Sequence, residues 1–193
     1  MPHDPKTVDL KTPLAVATAL VALLAAPARA ADYVQAPGST LAFASKYDGE
    51  TFTGSFGGFA TKVSFDPANL GASKLDVTIP LAQVRSGNAD RDSTLQTADF
   101  FSTAKFAQAR YTASAFRSLG GNQYAAAGTL ALRGVSKPVT LTFTWTPGAR
   151  PVLAGKAIVK RLDFNVGGGD WSDTGALPNE VAISTRVLLM PAK

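Results

Sequence analysis

Val139-Thr140-Leu141-Thr142-Phe143-Thr144-Trp145 alternates without a fault: Val139, Leu141, Phe143 and Trp145 fall on one side and three threonines on the other. Side chains alternate across a strand with a period of two, so this stretch predicts a half-buried antiparallel strand with an apolar face and a wet one. Weaker versions of the pattern extend outward in both directions: Leu41–Tyr47, Phe59–Phe65, Lys74–Ile79, Arg110–Phe116, Tyr124–Arg133, Val152–Leu162 and Val181–Leu189. Turn chemistry separates them, in Asp66-Pro67-Ala68-Asn69, Gly120-Gly121-Asn122, Pro147-Gly148 and Gly167-Gly168-Gly169. Many strands at short, regular spacing predict an all-β sandwich or barrel.

One interval breaks the rhythm. From Asn88 to Ala109 the alternation stops; Asn88 can cap a short helical insertion, with Asp90 in the first turn where a carboxylate suits the helix dipole. So short a helix needs packing to persist, and Leu95, Phe100, Phe101 and Phe106 are the available anchors.

The first thirty residues read as a secretory signal: Lys6 and Lys11, an apolar run from Leu14 to Ala26, then Ala28-Arg29-Ala30 as the cleavage pattern. Cleavage after Ala30 leaves residues 31–193 as one exported domain. The apolar run is shorter than the roughly 20 residues a membrane span requires. Losing the segment moves the formal charge from +5 to about +4, with the basic residues scattered rather than in runs, which argues against nucleic acid as a partner.

The chain has no cysteine, and its single histidine, His3, lies in the signal segment. That excludes Ser-His-Asp and Cys-His nucleophilic machinery, disulfides and the usual zinc sites, so no catalytic residue and no metal ligand is assigned. Asp90, Arg91, Asp92 and Asp99 could pair for acid/base work, but an arginine beside a carboxylate fixes its charge rather than poising a proton; a clamp holding the insertion on the barrel rim fits better. Gly167 to Gly175, GGGDWSDTG, could form a phosphate nest or cation loop with Asp170 and Asp173, yet matches neither motif; a β connection with Trp171 as an apolar plug fits better. All eleven phenylalanines lie beyond the signal segment. An eight-stranded barrel is wide enough either to be filled by side chains or to hold one small ligand, and inward-facing small residues in Ala125–Ala131, AAAGTLA, would leave it hollow.

In order and spacing, four segments resemble the YceI-like family of exported, polyisoprenoid-binding barrels: Phe65-Asp66-Pro67 with Leu70 and Ser73; Arg91-Asp92, Leu95 and Asp99-Phe100-Phe101, continued by Lys105-Phe106 and Ala109; Gly128 through Val139; and Asp163-Phe164 with its following glycines. Ala107 departs from the pattern, standing where a proline is expected after the aromatic. The resemblance implies the fold class, an antiparallel, lipocalin-like β-barrel of about eight strands with a short helical insertion, a periplasmic location, and a long apolar cargo, a polyprenyl chain or isoprenoid quinone, with no cofactor. The expected tunnel residues are Phe43, Phe59, Val63, Leu75, Val77, Ile79, Leu95, Phe100, Phe101, Phe106, Phe143, Phe164 and Trp171, with Arg91, Asp92 and Asp99 as the clamp. Partners would be the isoprenoid lipid and a membrane protein or membrane surface, with the chain a monomer or homodimer. Two rivals stand beside this reading: a lipid- or quinone-modifying enzyme using Asp92, Asp99 or Asp170, and a filled barrel that docks on a membrane electron-transfer protein.

Overall fold

The computed structural model describes Met1 and residues 30–192, so the segment read as a signal peptide falls, apart from its two end residues, outside the described residues. Eleven strand segments follow: β1 (Ala31–Gln35), β2 (Thr40–Tyr47), β3 (Glu50–Phe56), β4 (Ala60–Phe65), β5 (Lys74–Pro80), β6 (Val84–Arg85), β7 (Gln108–Gly120), β8 (Gln123–Leu132), β9 (Val135–Thr146), β10 (Val152–Lys160) and β11 (Glu180–Pro191). One helix, α1 (Ala89–Gln96), interrupts them.

Register reduces eleven segments to eight strands. β11 pairs with β1 through Leu189 and Gln35 and with β2 through Arg186 and Thr40, so β1 and β2 are two halves of one broken strand. β4 pairs with β1 and β3 with β2; β5 pairs with β4 and β6 with β3. Each of the first three strands is therefore kinked, while β7 to β11 run unbroken. The β11–β1 ladder closes an up-and-down, eight-stranded antiparallel barrel. The kinks fall where the backbone demands it: Gly38 has φ +87° after Pro37, and Gly58 has φ +64°.

At one seam the barrel stays unpaired. Among the described residues β5 pairs with β7 but β6 pairs only with β3. The chain between β6 and β7 is the helical insertion. The Asn88 side chain accepts a hydrogen bond from the Arg91 N–H at 2.9 Å, the expected cap, and Asp90 and Asp92 occupy the first turn. Outside the barrel, Arg110 reaches across from β7 to Asp76 on β5, Nε to Oδ1 at 3.0 Å. That hydrogen bond, reinforced by the arginine's charge, holds the Asp76 carboxyl below its usual range, though both side chains are well exposed and the pair adds little stability.

Candidate ligand-binding cavity

The interior is solid at one end and hollow at the other. At the solid end Phe65 on β4 is surrounded by aromatic rings: centroid distances are 4.7 Å to Trp145, 5.0 Å to Tyr124, 5.5 Å to Phe143 and 5.9 Å to Phe116. Tyr33 packs on Trp145 at 5.7 Å. Edge-to-face and tilted contacts of this kind suit aromatic quadrupoles and form a sealed floor. Two inward positions along β9 from Phe143, towards Val139, the side chains no longer meet.

Above the floor the wall is almost wholly aliphatic and aromatic: Leu41 and Phe43 on β2, Leu75 to Ile79 on β5, Leu130 and Leu132 on β8, Val139 and Leu141 on β9, Ala157 and Val159 on β10, Ile183 and Val187 on β11. The cavity volume is about 190 Å³. A cavity of about 150 Å³ holds one benzene ring, so this is room for roughly seven or eight methylene-sized groups.

The openness is set by glycines opposite rings. A Cβ on Gly128 would lie 2.5 Å from Tyr111 Cζ and 2.6 Å from the Thr112 carbonyl oxygen; one on Gly54 would lie 2.3 Å from the Phe43 ring. The ring of Tyr111 therefore lies flat over Gly128, anchored by its hydroxyl, which donates to the carbonyl of Ala126 at 2.9 Å or of Val139 at 3.2 Å. Burial pushes the Tyr111 phenol up to about 12, against a small opposing effect of a backbone hydrogen bond at Leu141. The AAAGTLA segment was expected to hollow the barrel directly. Instead Ala126 faces Phe116 in the ladder and Gly128 is covered by Tyr111, so the small residues make room for neighbouring rings rather than for a guest.

The insertion and the chain from Arg161 to Leu177 roof the cavity. Leu95, Phe100 and Phe101 are buried and face it. Phe101 meets Phe56 at 5.7 Å, and Phe100 meets Trp171 at 5.2 Å, with Trp171 in turn 6.0 Å from Tyr47 on β2. The two roof segments are tied together: the Gly167 N–H donates to the Asp99 carbonyl at 2.7 Å, and Arg133 donates to the carbonyls of Ala98 (2.8 Å), Asp99 (3.0 Å) and Asn165. Arg161, 4 % exposed, gives its guanidinium to the carbonyls of Val166, Gly167, Trp171, Pro178 and Leu177. Burial lowers its pKa, and the carbonyl dipoles carry its charge.

Of the expected tunnel residues, Phe43, Leu75, Val77, Ile79, Leu95, Phe100 and Phe101 line the cavity. The other six lie elsewhere. Val63 and Phe143 are built into the floor end; Phe59 and Phe164 are buried in the core without lining the cavity; Phe106 braces Gly134 of the β8–β9 turn at 3.2 Å from where a Cβ would stand; Trp171 packs on Phe100. The clamp is not the charge pairing that was expected. Arg91 and Asp92 are successive helix positions and cannot face each other. Each reaches Ser86 instead: Asp92 Oδ1 accepts from the Ser86 amide and hydroxyl at 2.6 Å each, and Arg91 Nε donates to the same hydroxyl at 2.9 Å while its guanidinium sits 4.5 Å over the Phe52 ring. Asp99 contributes its main-chain carbonyl. Sequence reasoning missed Ser86, which Arg91 and Asp92 both reach, Arg133 and Arg161, whose partners are backbone carbonyls, and the wall residues Phe52, Phe56 and Tyr111.

The YceI-like domain model matches residues 33–189. The chain belongs to the YceI-like family. Protein YceI of Escherichia coli O157:H7 is 34 % identical over 69 % of this chain and 71 % of its own length. A UPF0312 protein of Vibrio vulnificus is 30 % identical over 78 % of this chain and 87 % of its own. Among solved structures, BcnA of Burkholderia cenocepacia superposes with a TM-score of 0.75 at 31 % identity, covering 78 % of this chain and 95 % of that one. A polyisoprenoid binding domain of Saccharophagus degradans superposes with a TM-score of 0.65 at 18 % identity, covering 84 % and 99 %; that likeness is one of fold. The YceI-like barrel is thus the frame in which the floor, wall and roof are set.

Proposed function

We propose that this YceI-like protein is a non-catalytic carrier that sequesters or shuttles the chain of an isoprenoid lipid in the periplasm, with the signal segment removed after Ala30 and no cofactor taking part. The observation that supports it best is a cavity of aliphatic and aromatic wall, closed below by interlocked rings and above by two buried phenylalanines. Room for about seven or eight methylene-sized groups corresponds to about one and a half isoprene units, and at about 0.8 kcal/mol per buried CH₂ they contribute roughly 6 kcal/mol before the cost of association. A polyprenyl or quinone tail longer than this leaves through the roof, which opens to admit it. The polyisoprenoid cargo named for the S. degradans domain fits the same shape of barrel.

The enzyme alternative finds no support in the geometry. Neither Asp92, Asp99 nor Asp170 faces the cavity, and the wall carries no carboxylate among the described residues. Mass spectrometry of organic extracts from protein purified without detergent tests the carrier directly. A prenyl species near one per chain is the expected result. An extract free of lipid, together with failure of the purified protein to take up a prenyl hydrocarbon, would overturn it.

A further inference from the structure

Outside the barrel, the wall made by β10, β11 and β2 carries charge unlike the rest. Alternate side chains of these strands point into the barrel, so Lys156, Ile158 and Lys160 on β10, Ala182 and Arg186 on β11, and Ala44 and Lys46 on β2 face out. Ile158 is 55 % exposed, more than any other large apolar side chain among the described residues beyond Met1. It starts a row without charge, Ile158 pairing with Ala182, Ala182 with Ala44 and Ala44 with Thr53. Cations flank this row, Lys160 and Lys46 on the roof side and Lys156 and Arg186 on the floor side. Among the described residues Glu180, opposite Lys160, is the one carboxylate on this face, and none of the four cations has an ion-pair partner. On the opposite wall the charges are matched: Arg110 is bound to Asp76, and Lys62 stands across the ladder from the same carboxylate.

We propose that this wall docks the barrel side-on against an anionic lipid bilayer, with Ile158 entering among the headgroups and Lys46, Lys156, Lys160 and Arg186 drawn to the phosphates. The inference stands apart from the carrier reading, because it rests on the outer surface alone. Charge decides the occupant. Two copies packed face to face would set four cations against four, and like charges placed together cost affinity, whereas an anionic leaflet complements them. Tyr47, 45 % exposed, ends β2 at the rim beside this face, 6.0 Å from Trp171 of the roof, and a ring with a polar tip suits the headgroup level. Asp48 and Glu50 at the β2–β3 turn and Asp163, Asp170 and Asp173 in the roof lie beyond the strand ends, which turns the wall rather than the roof toward the lipid. Docked this way, the roof lies alongside the leaflet.

Sedimentation with vesicles of one part phosphatidylglycerol to three parts phosphatidylcholine tests this. The intact protein is expected to bind them, to release them in molar salt, and to leave vesicles of phosphatidylcholine alone unbound. A lysine beside an anionic leaflet changes partitioning about fivefold, so Lys156→Gln with Lys160→Gln should weaken binding about 25-fold. Lys62→Gln with Lys74→Gln removes the same charge from the opposite wall and should change binding less than about threefold. Ile158→Ser should weaken it about fivefold with the salt dependence kept. All five positions are exposed, and an unchanged urea midpoint shows that each variant folds. No binding by the intact protein, or equal losses in the two double variants, would overturn the docking face; a concentration-dependent dimer dissolved by Ile158→Ser would overturn it in favour of a second copy. Uptake of farnesene, a C15 prenyl hydrocarbon, reads the carrier separately and should be unchanged in every variant; a protein that binds vesicles but takes up no farnesene would fail the carrier reading alone.

Discussion

Placing a phenyl ring inside the tunnel separates a hollow barrel from a filled one by the sign of a stability change. Ala157 on β10 is the small residue for the purpose: it lines the cavity opposite Ile183, and a β position accepts an aromatic side chain. An apolar cavity of 150 Å³ admits benzene, so a space of about 190 Å³ has room for the ring of Ala157→Phe. Burying a phenylalanine side chain contributes about 1.5–3 kcal/mol. Subtracting about 0.5–1 kcal/mol for lost rotamer freedom leaves a net gain of about 1–2 kcal/mol. Urea melts of the ligand-free protein should show the midpoint rising with an unchanged slope, and farnesene uptake should fall at least tenfold because ring and guest compete for the same volume. A filled core responds in the opposite direction, since overpacking costs about 1–3 kcal/mol. A destabilised Ala157→Phe with uptake intact would refute the tunnel.

Three further outcomes follow from the same geometry. Gly128→Ala forces a Cβ against Tyr111 and the Thr112 carbonyl and should cost about 1–3 kcal/mol in chemical denaturation, with reduced uptake as the displaced Tyr111 ring swings into the tunnel. The Tyr111 phenol is raised from about 10 in the unfolded chain to about 12, so its contribution is complete below pH 10 and lost as pH rises through 12; the intact protein should lose stability across that window more steeply than Tyr111→Phe in alkaline melts. Arg161→Lys keeps the charge but cannot reach five carbonyls with three donors; hydrogen exchange should speed up across residues 161–178 with the barrel strands unaffected, and equal protection in both proteins would show that the arginine does not hold the roof.

Strands were legible in the sequence where one face stayed apolar throughout, and lost where the fold required a hole in that face. The β3 segment Glu50–Phe56 passed unnoticed because its central inward position is Gly54, and Gly54 is there to accept the Phe43 ring from β2. β1 is five residues long and reads as a strand only through its two neighbours. The insertion was legible from its cap, because an asparagine that accepts from the third residue onward is a local device. Membership of the wall was not. In Val139–Trp145, the clearest alternation in the chain, all four apolar residues point inward, yet Val139 and Leu141 line the cavity while Phe143 and Trp145 belong to the floor. Alternation specifies which face is buried; height along the barrel decides whether that burial makes a wall or a plug, and height depends on the stagger between strands.

That division between plug and wall also decides which end can open. Floor residues such as Phe143 (2 % exposed) and Leu189 (0 %) interlock rings and branched side chains from several strands, so parting them would expose a large apolar surface at once. The roof is joined differently. Its two segments meet through the Phe100–Trp171 ring contact and a few hydrogen bonds to backbone carbonyls made by Gly167 and Arg133, while Arg161 ties the second segment to itself. Three of the four non-glycine residues with positive φ among the described residues, Ser102, Arg133 and Asn165, lie in it or at its edge. Bonds of this kind can be exchanged for water one at a time, and left-handed backbone persists only while its surroundings hold it, which places the roof at the low-stability end of the molecule. On the carrier reading a guest therefore enters by the roof, past Phe100 and Phe101, because the floor of interlocked rings at the far end of the tunnel does not part.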